Sequence, residues 1–350
     1  MSYHENISVK YTLRLREHLK TLPAFLSEFF RGIADITTVR TRLGYAYDIN
    51  IFLDFLSREI KDFDCEVKDF KLEDMDRVTT DHIEEFMSYL DYYIKDEKRG
   101  QTVFQNHEKG KSRKLSALRT MYLFFLKKKK LKNNPTEIID YPKIRDKTIV
   151  RLEYNEIARL LDAVESGKGL TDRQKAYHEY TRQRDLAIIT LLLGTGIRVS
   201  ECAGLDMNHI DFENGGIKIV RKGGDEAVVY FGDEVLEALN VYLDLRETMD
   251  TMEGHEEALF LSMQKRRLDV RSIQNLVKKY ASVVTAFKNI SPHKLRSTYG
   301  TNLYRETGDI YLVADVLGHK SVETTKKHYA EMSDENRRKA AKAVKLRKED

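Results

Sequence analysis

The sequence predicts a mainly α-helical protein of two domains, with a small antiparallel β-hairpin in the second. Three observations predict it. Apolar residues recur every three or four positions along much of the chain, and one stretch near residue 220 places β-branched and aromatic residues around glycines. The chain's 350 residues also suffice for two buried cores of ordinary size. A hydrophobic content of 41% beside 33% charged residues describes a globular, highly charged chain.

In "TVRTRLGYAYDINIFLDFL", Val39, Leu43, Ala46, Ile49, Leu53 and Leu56 line one face of a helix. Ile83, Phe86, Leu90 and Ile94 repeat the spacing in "HIEEFMSYLDYYI". A third helix is expected to start at Ser112, whose hydroxyl can cap it, with Leu115, Leu118, Tyr122 and Phe125 inward and Arg113 and Arg119 outward. Asn134 and Pro135 are expected to stop it after "KKKKLK". Between the second and third helices, "KDEKRGQTVFQNHEKG" has no clean period and reads as a loop or flap. The pattern lapses again around "YPKIRDKTIV", which suits an extended linker over 142–150, between a helical domain at 1–141 and a mixed domain at 151–350.

In the second half, "RDLAIITLLL" is apolar on every side, as a helix at the centre of a domain would be, and "GTG" breaks it. "GIKIVRKGGDEAVVYF" reads as a hairpin and helices follow to the end. The longest apolar run, "LAIITLLLGTGI", is short of the ~20 residues of a spanning helix. The polar start, "MSYHENISVKYTLRLREHLK", lacks the apolar core of a signal peptide. No membrane insertion is expected, and the protein reads as cytoplasmic. Cys65 and Cys202 make no disulfide framework, and no Cys/His cluster has zinc spacing; both thiols read as inert.

The net charge is only +4, but it is unevenly spread: residues 109–147 hold thirteen Lys and Arg against three acids, and residues 337–348 hold seven against none. Such blocks can be solvated helix faces. Two of them in one chain fit a polyanionic partner. Arg113, Lys114 and Arg119, and Lys143, Arg145 and Lys147 of the linker, are the candidate phosphate contacts.

Several polar residues stand where chemistry is possible. Arg198 follows "GTGI" at the expected first turn of a helix, where N–H groups and the helix dipole favour an anion. It also suits a surface salt bridge, and "IRVSECAGLDMNHI" passes for a helix-turn-helix. Lys222 lies in the turn "RKGG", His293 and Arg296 share one side of a helix opened by Ser291 and Pro292, and His319 follows the helix-ending Gly318. Tyr329, one of 19 tyrosines, lies among lysines. Each has an ordinary structural explanation. Together they contain what phosphodiester cleavage without a metal requires. Two guanidiniums can hold the non-bridging oxygens and offset charge on five-coordinate phosphorus. A phenol of reference pKa ~10 can attack once His293 takes its proton, and a lysine can protonate the leaving 5′ oxygen. No metal or other cofactor is needed.

The ordered set Arg198, Lys222, His293, Arg296, His319 and Tyr329, in "GTGIRVSE", "RKGG", "HKLR", "LGHKS" and "TTKKHYA", resembles the tyrosine recombinases, or phage integrase family. "SRKLSALRTMYLFFLKKKKLKNNP" is similar to the last helix of that family's core-binding domain. The resemblance implies a C-shaped clamp of two domains around duplex DNA, with a 3′-phosphotyrosyl bond at Tyr329. It also implies that Glu201 steadies Arg198 and that His319 bonds the scissile phosphate. A helix formed by the tail would dock on a neighbouring subunit in a homotetramer. Two features depart from the pattern. Tyr329 lies ten residues after His319, where many members have nine, a spacing that falls here on His328; one residue turns a helix by ~100°. The hairpin carries "GDEA" where further basic residues are usual. The longer spacing occurs in the family and Tyr311 precedes "LGH", so Tyr329 remains the expected nucleophile. The leading helix and inserts near Gln101 and "SGKGLTDRQKAYHEYTRQ" resemble the Xer-type enzymes that resolve chromosome dimers, in their single-recombinase (XerS-like) version, with a division-linked activator. The alternatives are an integrase or excisionase of a mobile element, and a DNA-binding protein without catalysis.

Overall fold

The computed structural model describes residues 3–97, 100–144, 150–221, 224–285, 287–319, 321–323 and 325. The chain divides into two compact units, Met1–Asp146 and Lys147–Asp350.

The first unit contains α1 (Tyr3–Leu19), α2 (Phe25–Gly32), α3 (Val39–Glu59), α4 (Leu72–Arg77), α5 (Thr80–Tyr89), the strands β1 (Tyr93–Glu97) and β2 (Gly100–Phe104), and α6 (Glu108–Lys127). Its core is built on α3, which Thr38 caps by accepting from the Thr41 N–H. Leu43, Ala46, Ile49, Leu53 and Leu56 are buried as the spacing predicts. Phe52 and Phe55 widen the stripe and pack on Phe86 and Tyr89 of α5, while α3 also packs on α1 and α6. Each such buried side chain contributes about 1.5–3 kcal/mol of transfer free energy.

Three expectations for this unit are corrected. The helix placed at Ser112 begins at Glu108, so Ser112 lies inside it, and it ends at Lys127, short of Asn134. Lys129 takes a left-handed φ of 56°, which turns the chain away, and Asn134 accepts instead from the N–H and hydroxyl of Thr136 to organise the next turn. The supposed flap is a hairpin in which Tyr93 pairs with Phe104 and Ile94 with Val103. Ile94 therefore belongs to a strand and is exposed, not on the buried face of α5. Arg119 is not outward: it is partly buried and donates to the Thr136 and Ile139 carbonyls, both at 2.7 Å.

The second unit contains α7 (Tyr154–Ser166), α8 (Asp172–Thr195), α9 (Val199–Ala203), a three-stranded antiparallel sheet, β3 (Ile210–Asp211), β4 (Gly216–Val220) and β5 (Glu226–Tyr230), then α10 (Asp233–Glu247), α11 (Val270–Val284), α12 (Pro292–Thr307) and α13 (Ile310–Leu317). Thr171 and Gln174 cap α8 reciprocally. The apolar half of α8 is the centre of the unit, with Ala187, Ile188, Ile189, Leu191 and Leu192 fully buried and α7, α10 and α12 packed around it. The expected hairpin is β4–β5; the short β3 completes the sheet. "IRVSECAGLDMNHI" is no helix-turn-helix, because α9 spans five residues and leads through a three-residue 3₁₀ turn into β3. Both cysteines are free, and burial pushes the Cys202 thiol well above its usual range. Among the described residues no helix is long and apolar enough to cross a membrane.

Candidate active site

Three arginines from three parts of the second unit meet at one helix end. Gly196 closes α8 with φ 63°, which favours glycine, and a Cβ there would fall 2.4 Å from a ring carbon of Tyr299. Across this tight corner the next helix begins at Arg198, the N-cap of α9. Glu201, buried at 3% exposure, accepts from the Arg198 backbone N–H at 2.7 Å and from its guanidinium at 2.8 Å. One carboxylate thus fixes the main chain and the side chain of the same arginine.

Ser291 and Pro292 open α12 as the sequence predicts. His293 is exposed in its first turn. Arg296, one turn later, is buried and donates to the Gly196 carbonyl at 2.6 Å and to the Leu317 carbonyl.

The acceptors come from α13. This helix ends with Gly318 in the left-handed region, where the Gly318 and His319 N–H groups donate back to Asp315 and Ala314 at 2.8 and 2.9 Å. That leaves the next carbonyls without helical donors. Arginines supply them: Arg221 donates to Val316 at 3.1 Å, Arg296 to Leu317, and Arg198 to Gly318 at 3.3 Å. The negative end of the α13 dipole favours cations there. His319, next in the chain, is held by a 2.8 Å hydrogen bond between Nδ1 and the hydroxyl of buried Thr325.

Carbonyl acceptors fix a guanidinium without cancelling its charge. Three guanidiniums thus gather beside a histidine, with Glu201 paired to Arg198. Such a cluster suits a phosphodiester, whose charge grows as phosphorus becomes five-coordinate. Of the neighbouring tyrosines, Tyr299 is packed beneath Gly196 with its phenol pushed upward by burial, and Tyr311 is exposed on α13. Among the described residues no three His, Cys, Asp or Glu side chains group so as to hold a metal ion.

The structure therefore brings Arg198, Glu201, Arg296 and His319 together, with His293 on the same helix as Arg296. Lys222 and Tyr329 lie outside the described residues, as do Arg145, Lys147 and the tail helix. Arg221 and Thr325 were not anticipated; the one signal for Arg221 was its place directly before the turn lysine. Among the expected phosphate contacts, Lys143 is exposed. Arg113 is half-exposed on Asp48 at 2.5 Å. Lys114 is corrected to an internal role: at 3% exposure its ammonium lies 2.7 Å from Asn106 and 3.7 Å from Asp48. Arg119 stacks over Tyr141, 4.6 Å from the ring centre.

A converging set of guanidiniums and a histidine on a mostly helical unit suits an enzyme of phosphodiester chemistry. The comparisons with known proteins make this specific. The phage integrase family model matches residues 140–336. A tyrosine recombinase XerC of Natranaerobius thermophilus is 32% identical over 263 residues, 73% of this chain and 79% of that protein. Another, of Caldanaerobacter subterraneus subsp. tengcongensis, is 28% identical over 337 residues, covering 94% and 88%. In fold, the chain is similar to the Tn1549 transposon integrase in complex with circular intermediate DNA (TM-score 0.62, 18% identity, 87% of this chain and 93% of that one). It is also similar to the XerH site-specific recombinase bound to its difH substrate (TM-score 0.58, 19%, 83% and 77%). The chain belongs to the phage integrase family: it is a tyrosine recombinase of the Xer type, an enzyme of site-specific DNA recombination.

Proposed function

We propose that the chain resolves chromosome dimers by cutting and rejoining duplex DNA at a dif-like site through a 3′-phosphotyrosyl bond to Tyr329. The convergence of Arg198, Arg221 and Arg296 on the end of α13, with His319 following, carries this reading. Arg198 and Arg296 hold the non-bridging oxygens of the scissile phosphate, and His319 adds a hydrogen bond. His293 takes the proton of the Tyr329 hydroxyl, whose oxygen attacks phosphorus. The bond to the 5′ oxygen breaks, and that oxygen leaves with the bonding electron pair and a proton from Lys222. The freed 5′ hydroxyl of a partner strand then reverses the step, so the energy of the broken bond is kept in the phosphotyrosyl link.

On this reading the chain works as a single recombinase, a homotetramer on paired sites linked through the helix of the basic tail and started by a division-linked activator in the cytoplasm; the relatives named XerC support the site-specific recombination on which it rests. Arg119, Lys143, Arg145 and Lys147 supply phosphate contacts and make affinity salt-dependent, while Arg113, expected to join them, is taken up by Asp48.

Covalent trapping tests the reading. The full chain is incubated with nicked chromosomal fragments and resolved on a denaturing gel. A protein–DNA band is expected with the wild type and none with Tyr329→Phe. A band that survives the substitution assigns the nucleophile elsewhere. Sequencing the trapped fragments is expected to return one chromosomal locus; recovery of mobile-element ends would replace dimer resolution by integration.

A further inference from the structure

Arg221 occupies two positions at once. Its main chain closes the base of the β4–β5 turn: its N–H donates to the Asp225 carbonyl at 2.8 Å, and its carbonyl accepts from the Gly224 N–H at 3.1 Å. Its side chain leaves the sheet, donates to the Val316 carbonyl at 3.1 Å and lies flat against Gly318, where a Cβ would fall 1.2 Å from Nη1. Only glycine at 318 admits the guanidinium. The residue thus ties a turn of the sheet to the helix end that also anchors Arg198 and Arg296 and leads into His319.

The next residue in the chain is Lys222. A lysine side chain is a long flexible stem, and proton delivery depends on its ammonium lying within hydrogen-bond reach of the oxygen that leaves. Anchoring the turn at its base removes much of that freedom. We propose that Arg221 is a positioning residue for the general acid: it holds the Lys222 turn in fixed register with the phosphate-binding end of α13. The inference rests on Lys222 being the proton donor. When the phosphorus–O5′ bond breaks and the tyrosyl–phosphorus bond forms, the departing oxygen takes the bonding pair and a proton from the Lys222 ammonium, and Arg221 transfers nothing.

A sulfur atom in place of the 5′ bridging oxygen separates this role from general support of the fold. A thiol ionises at about pH 8.5, so sulfur departs without a proton and has no need of a placed donor. Single-turnover cleavage by the full chain is measured on nicked duplexes of its site carrying either atom. Arg221→Ala is expected to cut the oxygen substrate roughly 10–100-fold more slowly than wild type, and to recover most of that loss on the sulfur substrate. Arg221→Lys, which keeps the charge but cannot span Val316 and Gly318 together, is expected to show the same pattern more weakly; it carries the test if thermal melting shows that the alanine variant is unfolded. Equal losses on both substrates, or no loss on oxygen, would overturn the proposal. Lys222→Ala runs in parallel: if sulfur fails to restore it, the donor assignment itself falls, whereas restoration of Lys222→Ala but not of Arg221→Ala removes only the role of Arg221.

Discussion

Two cation clusters, one in each unit, are gathered in opposite ways. In the first, a carboxylate does it: Asp48, 1% exposed, takes Arg113 at 2.5 Å and Lys114 at 3.7 Å. Burial pushes the Asp48 carboxyl up to about 6, although both cations pull it down. In the second, at the end of α13, main-chain carbonyls do it: three guanidiniums end on Val316, Leu317 and Gly318, and Arg198 also meets the Glu201 carboxylate. The Asp48 carboxylate offsets one of the two charges it collects and holds two helices together. The carbonyls place charge without offsetting it, and on the proposed function that charge serves a phosphate. On that reading the acceptor, more than the cation, separates a structural cluster from a receptor for DNA.

The largest effect expected from this comparison lies at Arg296. Arg296→Lys keeps one positive charge but has no fork to reach the Gly196 and Leu317 carbonyls together. If placement of charge is what matters, cleavage should fall by about 10²–10³-fold, with DNA binding and melting temperature little changed. Near-normal cleavage would mean that any cation suffices there and that the carbonyl anchoring is incidental. Single-turnover rates on nicked DNA, with a melting curve of each variant, decide it.

A smaller effect is expected at Asp48, and on stability instead of rate. Its folded-state pKa lies above the ordinary carboxylate value, so the native state holds the proton more tightly than the unfolded chain does. Stability therefore falls as pH rises through the interval from about 4 to about 6, and the full cost is present above it. Asp48→Asn removes this titration. Denaturation of both forms across pH should show wild type losing roughly 2–3 kcal/mol relative to the variant between pH 4 and 7. A wild type that gains on the variant over that range would mean that Arg113 and Lys114 outweigh burial, making the pair stabilising at neutral pH.

Much of the second cluster was legible because its signals are local. Gly196 and Gly318 end helices, Ser291 and Pro292 begin one, and Glu201 lies one turn from Arg198. What brings them together is not local. Arg221 and its acceptor Val316 are 95 positions apart, and Arg296 and Gly196 are 100 apart, so no window of sequence pairs them. Tyr329, outside the described residues, is assigned by resemblance and order of motifs alone, since a phenol among lysines has no period to mark it. The first unit shows the converse. Lys114 reads as surface until Asp48 is placed beside it. The β1–β2 hairpin escaped because Ile94 and Val103, cross-strand partners, are both exposed, and no buried face imposes the alternation by which strands are recognised.

The finest test compares two arginines of one helix. Arg113 and Arg119 both lie on α6, but Arg113 is paired with a buried carboxylate, while Arg119 is held by the Thr136 and Ile139 carbonyls. If the acceptor decides what a cation can do, Arg119 retains its charge for a phosphate and Arg113 does not. Binding to duplex DNA, titrated across salt concentrations, reads this directly, because each neutralised phosphate contributes about 0.9 to the slope of log affinity against log salt. Arg119→Met should lower the slope by roughly that amount, and Arg113→Met should leave it nearly unchanged. The reverse result would limit the distinction to the helix end of α13: a half-exposed guanidinium would then leave its carboxylate for DNA, and the carbonyls at Arg119 would serve only to close the turn after α6.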